Sequence, residues 1–300
     1  MNRRFFTLDV FTRKALAGNP LAVVLDSEGL DDQAMQAIAG EFNLSETVFV
    51  LPPKDSANRA ALRIFTPGRE LPFAGHPTVG TAALLAMLDG LEQGTKRFAL
   101  EEKVGLVPCA IERLSDGAIE AAFTLPRLPR RIEVAADVTQ IAQAIGVAVD
   151  DIGFDRHQPA VFSAGVGFTL VPLNEIAAVE KAAINREHWN VAIRPADHAN
   201  AFVYCRETVE AGHHFHARMF APDLGIGEDP ATGSAVAAFA GAVVEFEGLS
   251  DGTHRFVIEQ GYEMGRPSQI GLEVDRTGGA LIAARIGGGA VVISDGMLRL

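Results

Sequence analysis

Arg63-Ile64-Phe65-Thr66-Pro67, with Pro77-Thr78-Val79-Gly80-Thr81-Ala82 following it, has a second version later in the chain: Arg218-Met219-Phe220-Ala221-Pro222, then Pro230-Ala231-Thr232-Gly233-Ser234-Ala235. In each copy a β-rich run leads into a Pro-x-x-Gly-hydroxyl-Ala segment that opens an apolar helix. Two linked motifs that keep their order and nearly their spacing mark an internal duplication, with a period far longer than a solenoid repeat. Each half then contributes a strand, a loop and a central helix. Pseudo-symmetric packing of two such halves is expected to bring both loop-helix junctions to a shared cleft.

Working outward, the first half carries bounded β-enriched runs at Phe5 to Phe11, Leu21 to Leu25, Thr47 to Leu51, Ala60 to Phe65, Gly105 to Glu112 and Ala118 to Thr124. Asp31 to Phe42 reads as an amphipathic helix with acidic residues at its start, and Pro77 to Leu88 is apolar almost all round, as a buried helix must be. The class is α+β. Pro126, Pro129 and Arg130-Arg131 make the clearest compositional break, so the expected domains are 1-126 and 127-300, the last strand packing back on the first domain. The second half repeats the programme with helical signals near Val138 to Ile145 and Asn185 to Val191, strands at Asn200 to Cys205 and Phe215 to Phe220, and the apolar helix Pro230 to Phe246. Four strand-like runs are expected after it, with Gly287-Gly288-Gly289 as a hairpin turn.

Composition narrows the function. The 300 residues are 48% hydrophobic, enough to offset the entropy of ordering, and a formal net charge of -12 opposes binding to nucleic acid or to an anionic membrane. A small anionic substrate remains compatible, because helix N-termini create local positive potential inside an acidic protein. Arg3-Arg4 leads straight into strand-like sequence, with no apolar h-region or cleavage site, which predicts a cytoplasmic protein. No run approaches the roughly 18 apolar residues of a membrane span. Cys109 and Cys205 sit in apolar strand-like runs outside any metal or redox spacing, so they read as buried free thiols.

At the two junctions proline suits the first helical position, which predicts His76 and Asp229 as N-caps. Asp229 is a favoured cap, and capping and catalysis are equally good accounts of it. His76 is a poor cap, so its place at the start of a buried helix asks for a functional reason. Gly80 and Gly233 in the first turn cost roughly 1 kcal/mol each relative to alanine, which implies a close approach by substrate or by the facing helix. The two helix N-termini would bind a carboxylate with no metal and no lysine.

With these residues on the page, the chain is similar nearly end to end to the phenazine biosynthesis PhzF-like family, which has the diaminopimelate epimerase-like fold. The resemblance rests on Asp9-Val10-Phe11 with Gly18-Asn19-Pro20, Asn43-Leu44-Ser45-Glu46-Thr47, Arg63 to Pro67, Phe73-Ala74-Gly75-His76-Pro77-Thr78, Arg218 to Pro222, Glu228 to Ala235, and Gln260-Gly261 with Gly265-Arg266-Pro267-Ser268. It implies two pseudo-symmetric domains, each a mostly antiparallel sheet or barrel around a central apolar helix. It also implies a cofactor-independent isomerase, often homodimeric, acting on a small carboxylate-bearing substrate, with Glu46 as general acid/base, His76 and Asp229 assisting, and Gly75, Gly233, Ser234 and Asn19 binding substrate. Glu46 takes its role from the resemblance alone, since a Ser-Glu pair before a strand is ordinarily solvated.

Two rival functions stay in view. A two-cysteine racemase of the same fold is disfavoured because neither cysteine opens an apolar helix, and a non-catalytic binding protein would not need Glu46, His76 and Asp229 together. His213, His214 and His216 read as surface histidines rather than a metal site, and Trp189 as a packing anchor.

Overall fold

A computed structural model describes residues 2–134, 137–193, 200–224 and 226–300, and its contacts divide the chain into two units. The first comprises residues up to Pro126 together with Gly287–Leu300, and the second is Arg127–Ile286.

In the first unit the alternating runs form β1 (Asn2–Val10), β2 (Asn19–Val24), β3 (Glu46–Leu51), β4 (Ala60–Phe65), β5 (Glu70–Leu71), β6 (Gly94–Glu102), β7 (Gly105–Arg113) and β8 (Ile119–Thr124). Helix α1 (Asp32–Phe42) follows β2, its first turn capped by Asp31, whose carboxylate accepts from Ala34 N at 2.8 Å. Helix α2 (Gly75–Leu88) lies between β5 and β6. Strands β2 and β3 pair in parallel, as do β4 and β6, while β1–β2, β3–β4, β6–β7 and β7–β8 pair antiparallel.

The second unit holds β9 (Arg130–Ile132), α3 (Val138–Ile145), β10 (Ala160–Ser163), β11 (Gly167–Pro172), α4 (Ile176–Lys181), α5 (Arg186–Ala192), β12 (Ala201–Cys205), β13 (Phe215–Ala221), β14 (Ile226–Asp229), α6 (Gly233–Phe246), β15 (Gly252–Gln260) and β16 (Ser268–Thr277). Its pairings repeat those of the first unit: β10–β11 antiparallel, β11–β12 parallel, β12–β13 antiparallel, β13–β15 parallel and β15–β16 antiparallel. The final strand, β17 (Ala280–Arg299), starts in the second unit, where Arg285 reaches Glu273 and Asp275, and ends in the first.

In the first unit β17 pairs with both β1 and β8. The strands therefore close into a ring in the order β1-β2-β3-β4-β6-β7-β8-β17, which removes the sheet edges. Helix α2 packs against β1, β2, β3, β7 and β8 of that ring and is buried from Gly75 to Ala86, which is why its sequence lacks a polar face. In the second unit α6, equally apolar, packs against β9, β10, β11 and β16.

Four sequence expectations change. The three glycines at 287 to 289 lie inside β17 rather than in a turn. Crowding explains two of them, because a Cβ on Gly287 would come within 2.6 Å of Ala122 Cβ and one on Gly289 within 2.5 Å of the Thr12 carbonyl. Three strands, not four, follow α6. A Cβ on Gly80 would meet Val10 and Leu21 at 2.6 and 2.7 Å, so its close neighbours are side chains of the sheet, not substrate or a facing helix. The helix starts also move: α2 begins at Gly75 with Ala74 as N-cap, and α6 begins at Gly233 with Thr232 as N-cap. His76 is thus the second residue of its helix, and Asp229 ends β14 ahead of α6; neither is an N-cap.

Candidate active site

Glu46, Asn19, Gly75 and His76 belong to the first unit, and Asp229, Gly233 and Ser234 to the second. In the first unit the parallel pair β2–β3 sets Leu21 beside Glu46, so Asn19-Pro20 and Glu46 share one end of the sheet. The first turn of α2 brings His76 to that end, and its Nε2 lies 3.4 Å from Glu46 Oε2. The Glu46 side chain is only 12% exposed, which the Ser-Glu reading as a solvated strand start did not anticipate. His76 is buried, and burial pushes its pKa down to about 3, against the opposing effect of a hydrogen bond to Pro20. Proline has only a carbonyl to offer, so His76 is the donor in that bond. The ring is therefore neutral, and its contact with Glu46 is not an ion pair. Nδ1 holds Pro20, leaving Nε2 as the basic nitrogen turned toward the carboxylate.

A second acid lies under the same helix turn. Glu102, the last residue of β6, is 8% exposed and bonds Thr78 Oγ1 at 2.8 Å. Its other oxygen, Oε2, is buried without a hydrogen-bond partner. Stripping an ionised carboxylate of water costs several kcal/mol, whereas one hydrogen bond to it returns about 1.5–3 kcal/mol. Desolvation wins, and the pKa of Glu102 is raised to about 8, only partly opposed by Thr78.

The second unit arranges its junction differently. Asp229 is buried, and its Oδ2 accepts the Thr232 hydroxyl at 2.5 Å. Gln260, at the end of β15, grips the backbone on both sides: Nε2 donates to the Asp229 carbonyl at 2.7 Å, and Oε1 accepts from Thr232 N at 3.1 Å. Next to it Gly261 has φ +78, and a Cβ there would strike the Pro230 carbonyl at 2.6 Å. The carboxylate of Asp229, the backbone of Pro230 to Thr232 and the first residues of α6, Gly233 and Ser234, form one braced corner.

The remaining candidates resolve as structure. His216 is buried between Glu259 (3.0 Å) and Glu263 (2.8 Å), which lift its pKa to about 9 in spite of desolvation. An imidazolium is no metal ligand, and among the described residues no His, Cys, Asp and Glu group has a metal-binding arrangement. His213 bonds Glu259 and His214 accepts from Val257 N, so these histidines are held against buried carboxylate and backbone rather than standing at the surface. Trp189 is buried, edge-on to Phe220. Burial pushes both thiols up to about 12, which removes them as bases near neutral pH. A cavity of about 380 Å³ in the first unit is lined by Arg13, Met87, Arg113, Ile119 and Val291. It lies by the last turn of α2, whereas His76 stands in the first.

Glu102 escaped the sequence reading, and Thr78 and Gln260 entered it only as motif residues without a role. The signal for Glu102 and Gln260 was present in the duplication itself, since each strand end falls at a similar distance after Arg63 or Arg218.

The fold has counterparts among solved structures. A hydroxyproline epimerase from Agrobacterium vitis superposes with a TM-score of 0.66 at 12% identity over 99% of this chain and 91% of that one, which identifies the α+β, epimerase-like fold. A phenazine biosynthesis protein of the PhzF family from Bacillus anthracis superposes with a TM-score of 0.90 at 28% identity, covering all of both chains. Residues 8–296 match the sequence profile of the phenazine biosynthesis-like protein family. An uncharacterized isomerase of Mesorhizobium japonicum is 52% identical over 99% of this chain and 98% of its own length. The trans-2,3-dihydro-3-hydroxyanthranilate isomerase of Pseudomonas aeruginosa is 34% identical over 99% of both chains. The chain belongs to the phenazine biosynthesis-like family and is an isomerase.

Proposed function

We propose that this isomerase takes a proton from carbon on a small carboxylate-bearing substrate and returns it at another position, with Glu46 as the general acid/base. One observation carries this reading: the largely buried Glu46 carboxylate lies 3.4 Å from a His76 ring that stays neutral. The neutral ring sets Nε2, an unprotonated nitrogen, beside the carboxylate and so offers a second place to lodge a proton in transit. The first turn of α2, with Gly75, supplies free N–H groups and the positive end of the helix dipole for the substrate carboxylate. Asn19, Gly233 and Ser234 are proposed as further binding residues, and Asp229 as a second carboxyl assisting the reaction.

The relatives' name makes trans-2,3-dihydro-3-hydroxyanthranilate the first compound to try. The protein, as a homodimer with no added cofactor, is expected to incorporate solvent deuterium at carbon during turnover of that compound or of a related cyclic carboxylic acid. Glu46→Gln keeps the side chain's shape but cannot take the proton, so exchange should fall by about 10²–10⁴-fold. Exchange retained in full by Glu46→Gln removes the assignment.

A further inference from the structure

Register makes Glu102 and Gln260 counterparts. On β4 Ala60 and Ala61 pair with Leu100 and Glu101, and on β13 Phe215 and His216 pair with Ile258 and Glu259. Each set ends two residues before its motif arginine, Arg63 or Arg218. Glu101 and Glu259 bear out the equivalence by doing the same work. Glu101 accepts the N–H groups of Lys54 and Asp55, both at 2.9 Å, and Glu259 those of Val209 and Glu210, at 2.8 and 2.7 Å. The next residue along each strand reaches the start of the central helix instead.

In the second unit that residue is a donor. Gln260 Nε2 faces one carbonyl and Oε1 faces one N–H, which fixes the amide orientation, and Nε2 also donates to Thr232 Oγ1 at 3.0 Å. The Thr232 hydroxyl passes its own proton on to Asp229. In the first unit Thr78 Oγ1 stands 2.8 Å from Glu102 Oε1 and 2.7 Å from the Ala74 carbonyl. A hydroxyl has one proton. Were Thr78 to give it to Glu102, two bare acceptor oxygens would face each other across 2.7 Å at Ala74. Both short contacts are satisfied together only when Thr78 donates to Ala74 and Glu102 donates to Thr78.

We propose that Glu102 is held as a neutral carboxylic acid which, through Thr78, secures the Ala74 carbonyl and with it the first turn of α2, making Glu102 the positioning residue for Gly75 and His76. Ionisation removes the donor. Thr78 then turns its hydroxyl proton to the Glu102 carboxylate and leaves Ala74 only the longer bond from the Thr78 N–H, at 3.2 Å, so the site has an alkaline limit set inside the barrel rather than at the reacting groups. The other titratable groups on the surrounding elements do not offset this. Cys109 on β7 is a thiol throughout, its pKa pushed to about 12 by burial and then by Glu102 itself. His76 on α2 stays neutral, Arg63 on β4 and Lys103 are committed to Glu70, and Glu120 on β8 to Arg13.

The positioning role rests on the proposed function of Glu46 and His76, but the protonation state can be read without turnover. In protein labelled with ¹³C at glutamate carboxyls, one resonance should titrate with a midpoint near 8 and be missing in Glu102→Gln. Glu102→Leu should lower kcat by about tenfold or more with little change in KM, as expected for a misplaced catalytic turn. Glu102→Gln, the counterpart's own residue and a permanent donor, should restore most of that loss and abolish the alkaline limb. The proposal is overturned if no glutamate carboxyl of the wild type titrates above pH 7, if Glu102→Gln is as impaired as Glu102→Leu, or if its alkaline limb is unchanged. The wild-type titration decides the protonation state even if a variant fails to fold. Loss of exchange in Glu46→Gln without a high-midpoint carboxyl would sink this inference alone; the reverse result would sink only the role of Glu46.

Discussion

The starts of α2 and α6 descend from one motif and fold differently. Pro77 lies inside α2, whereas its counterpart Pro230 precedes α6; Gly80 is the sixth residue of its helix and Gly233 the first of its own. The cause is distant in sequence. In the second unit the Gln260 amide occupies the Asp229 carbonyl and the Thr232 N–H, so residues 230 to 232 have no call to wind. In the first unit Thr78 closes back on Ala74 with both its N–H and its hydroxyl, adding a turn. A duplicated scaffold has thus acquired unlike junctions: a neutral histidine inside a helix turn in one, a carboxylate in a braced corner in the other.

The sharpest test of that difference compares the two acids. Glu46→Gln should cost about 10²–10⁴-fold in proton exchange. Asp229→Asn should cost far less, about tenfold, because an amide oxygen can still accept the Thr232 hydroxyl and keep the corner braced. Equal losses would show that the two junctions share the chemistry evenly and would break the asymmetry.

This contrast also explains what the sequence could disclose. The duplication was legible because its signature is local: Arg63 forks onto Glu70 at 2.7 and 2.6 Å, and Arg218 onto Glu228 at 2.8 and 2.9 Å, each within a short stretch of chain. The two buried helices were legible because a helix surrounded by strands can be apolar on every side. Their starting residues were not, because Gln260 and Glu102 decide them from strands beyond the helices. Glu46 could be named only through the family resemblance for a similar reason: its burial depends on β2 and on the first turn of α2, not on its own neighbours in sequence. The glycines of β17 misled because glycine serves close approach as readily as a turn, and the clashing partners, Thr12 and Ala122, lie far back in the chain.

Exchanging the bracing residue should blur the comparison at a smaller scale. Gln260→Glu removes the donor to the Asp229 carbonyl and sets a second acid close to Asp229. An unsatisfied buried carbonyl costs about 1–3 kcal/mol, so the melting temperature should fall by several degrees. The sign with pH follows from the donor: a protonated acid can replace part of the lost bond, so the deficit should be smallest in mild acid and grow as pH rises. Glu102→Gln should do the opposite. The wild-type Glu102 pKa is raised above its unfolded value, so wild-type stability is fully present below about 4.5 and declines as pH rises to about 8. The stability of Glu102→Gln relative to wild type should therefore increase across that window and level off above it. A pH-independent difference in either variant would mean the two strand ends do not work as counterparts.

The smallest predicted effects separate the two motif arginines. Arg63 and Arg218 stack over Phe65 and Phe220 at 5.0 and 4.9 Å, and both fork onto a glutamate. They differ at Nη1. That of Arg63 reaches Asp32, whose side chain is 86% exposed, while that of Arg218 binds the carbonyls of Val179, Glu180 and Ala182 at 3.0, 3.0 and 2.8 Å, closing the end of α4. Lysine can hold one glutamate oxygen but cannot serve the carboxylate and three carbonyls together. Arg218→Lys should cost about 1–3 kcal/mol for the buried carbonyls it abandons, and Arg63→Lys less than about 1 kcal/mol, because water replaces what is lost at an exposed carboxylate. Paired denaturant titrations measure both. The ordering matters more than either value: it would place the extra rigidity of the second junction in what Arg218 has gained since the halves diverged, and a larger loss at Arg63 would put it in the first.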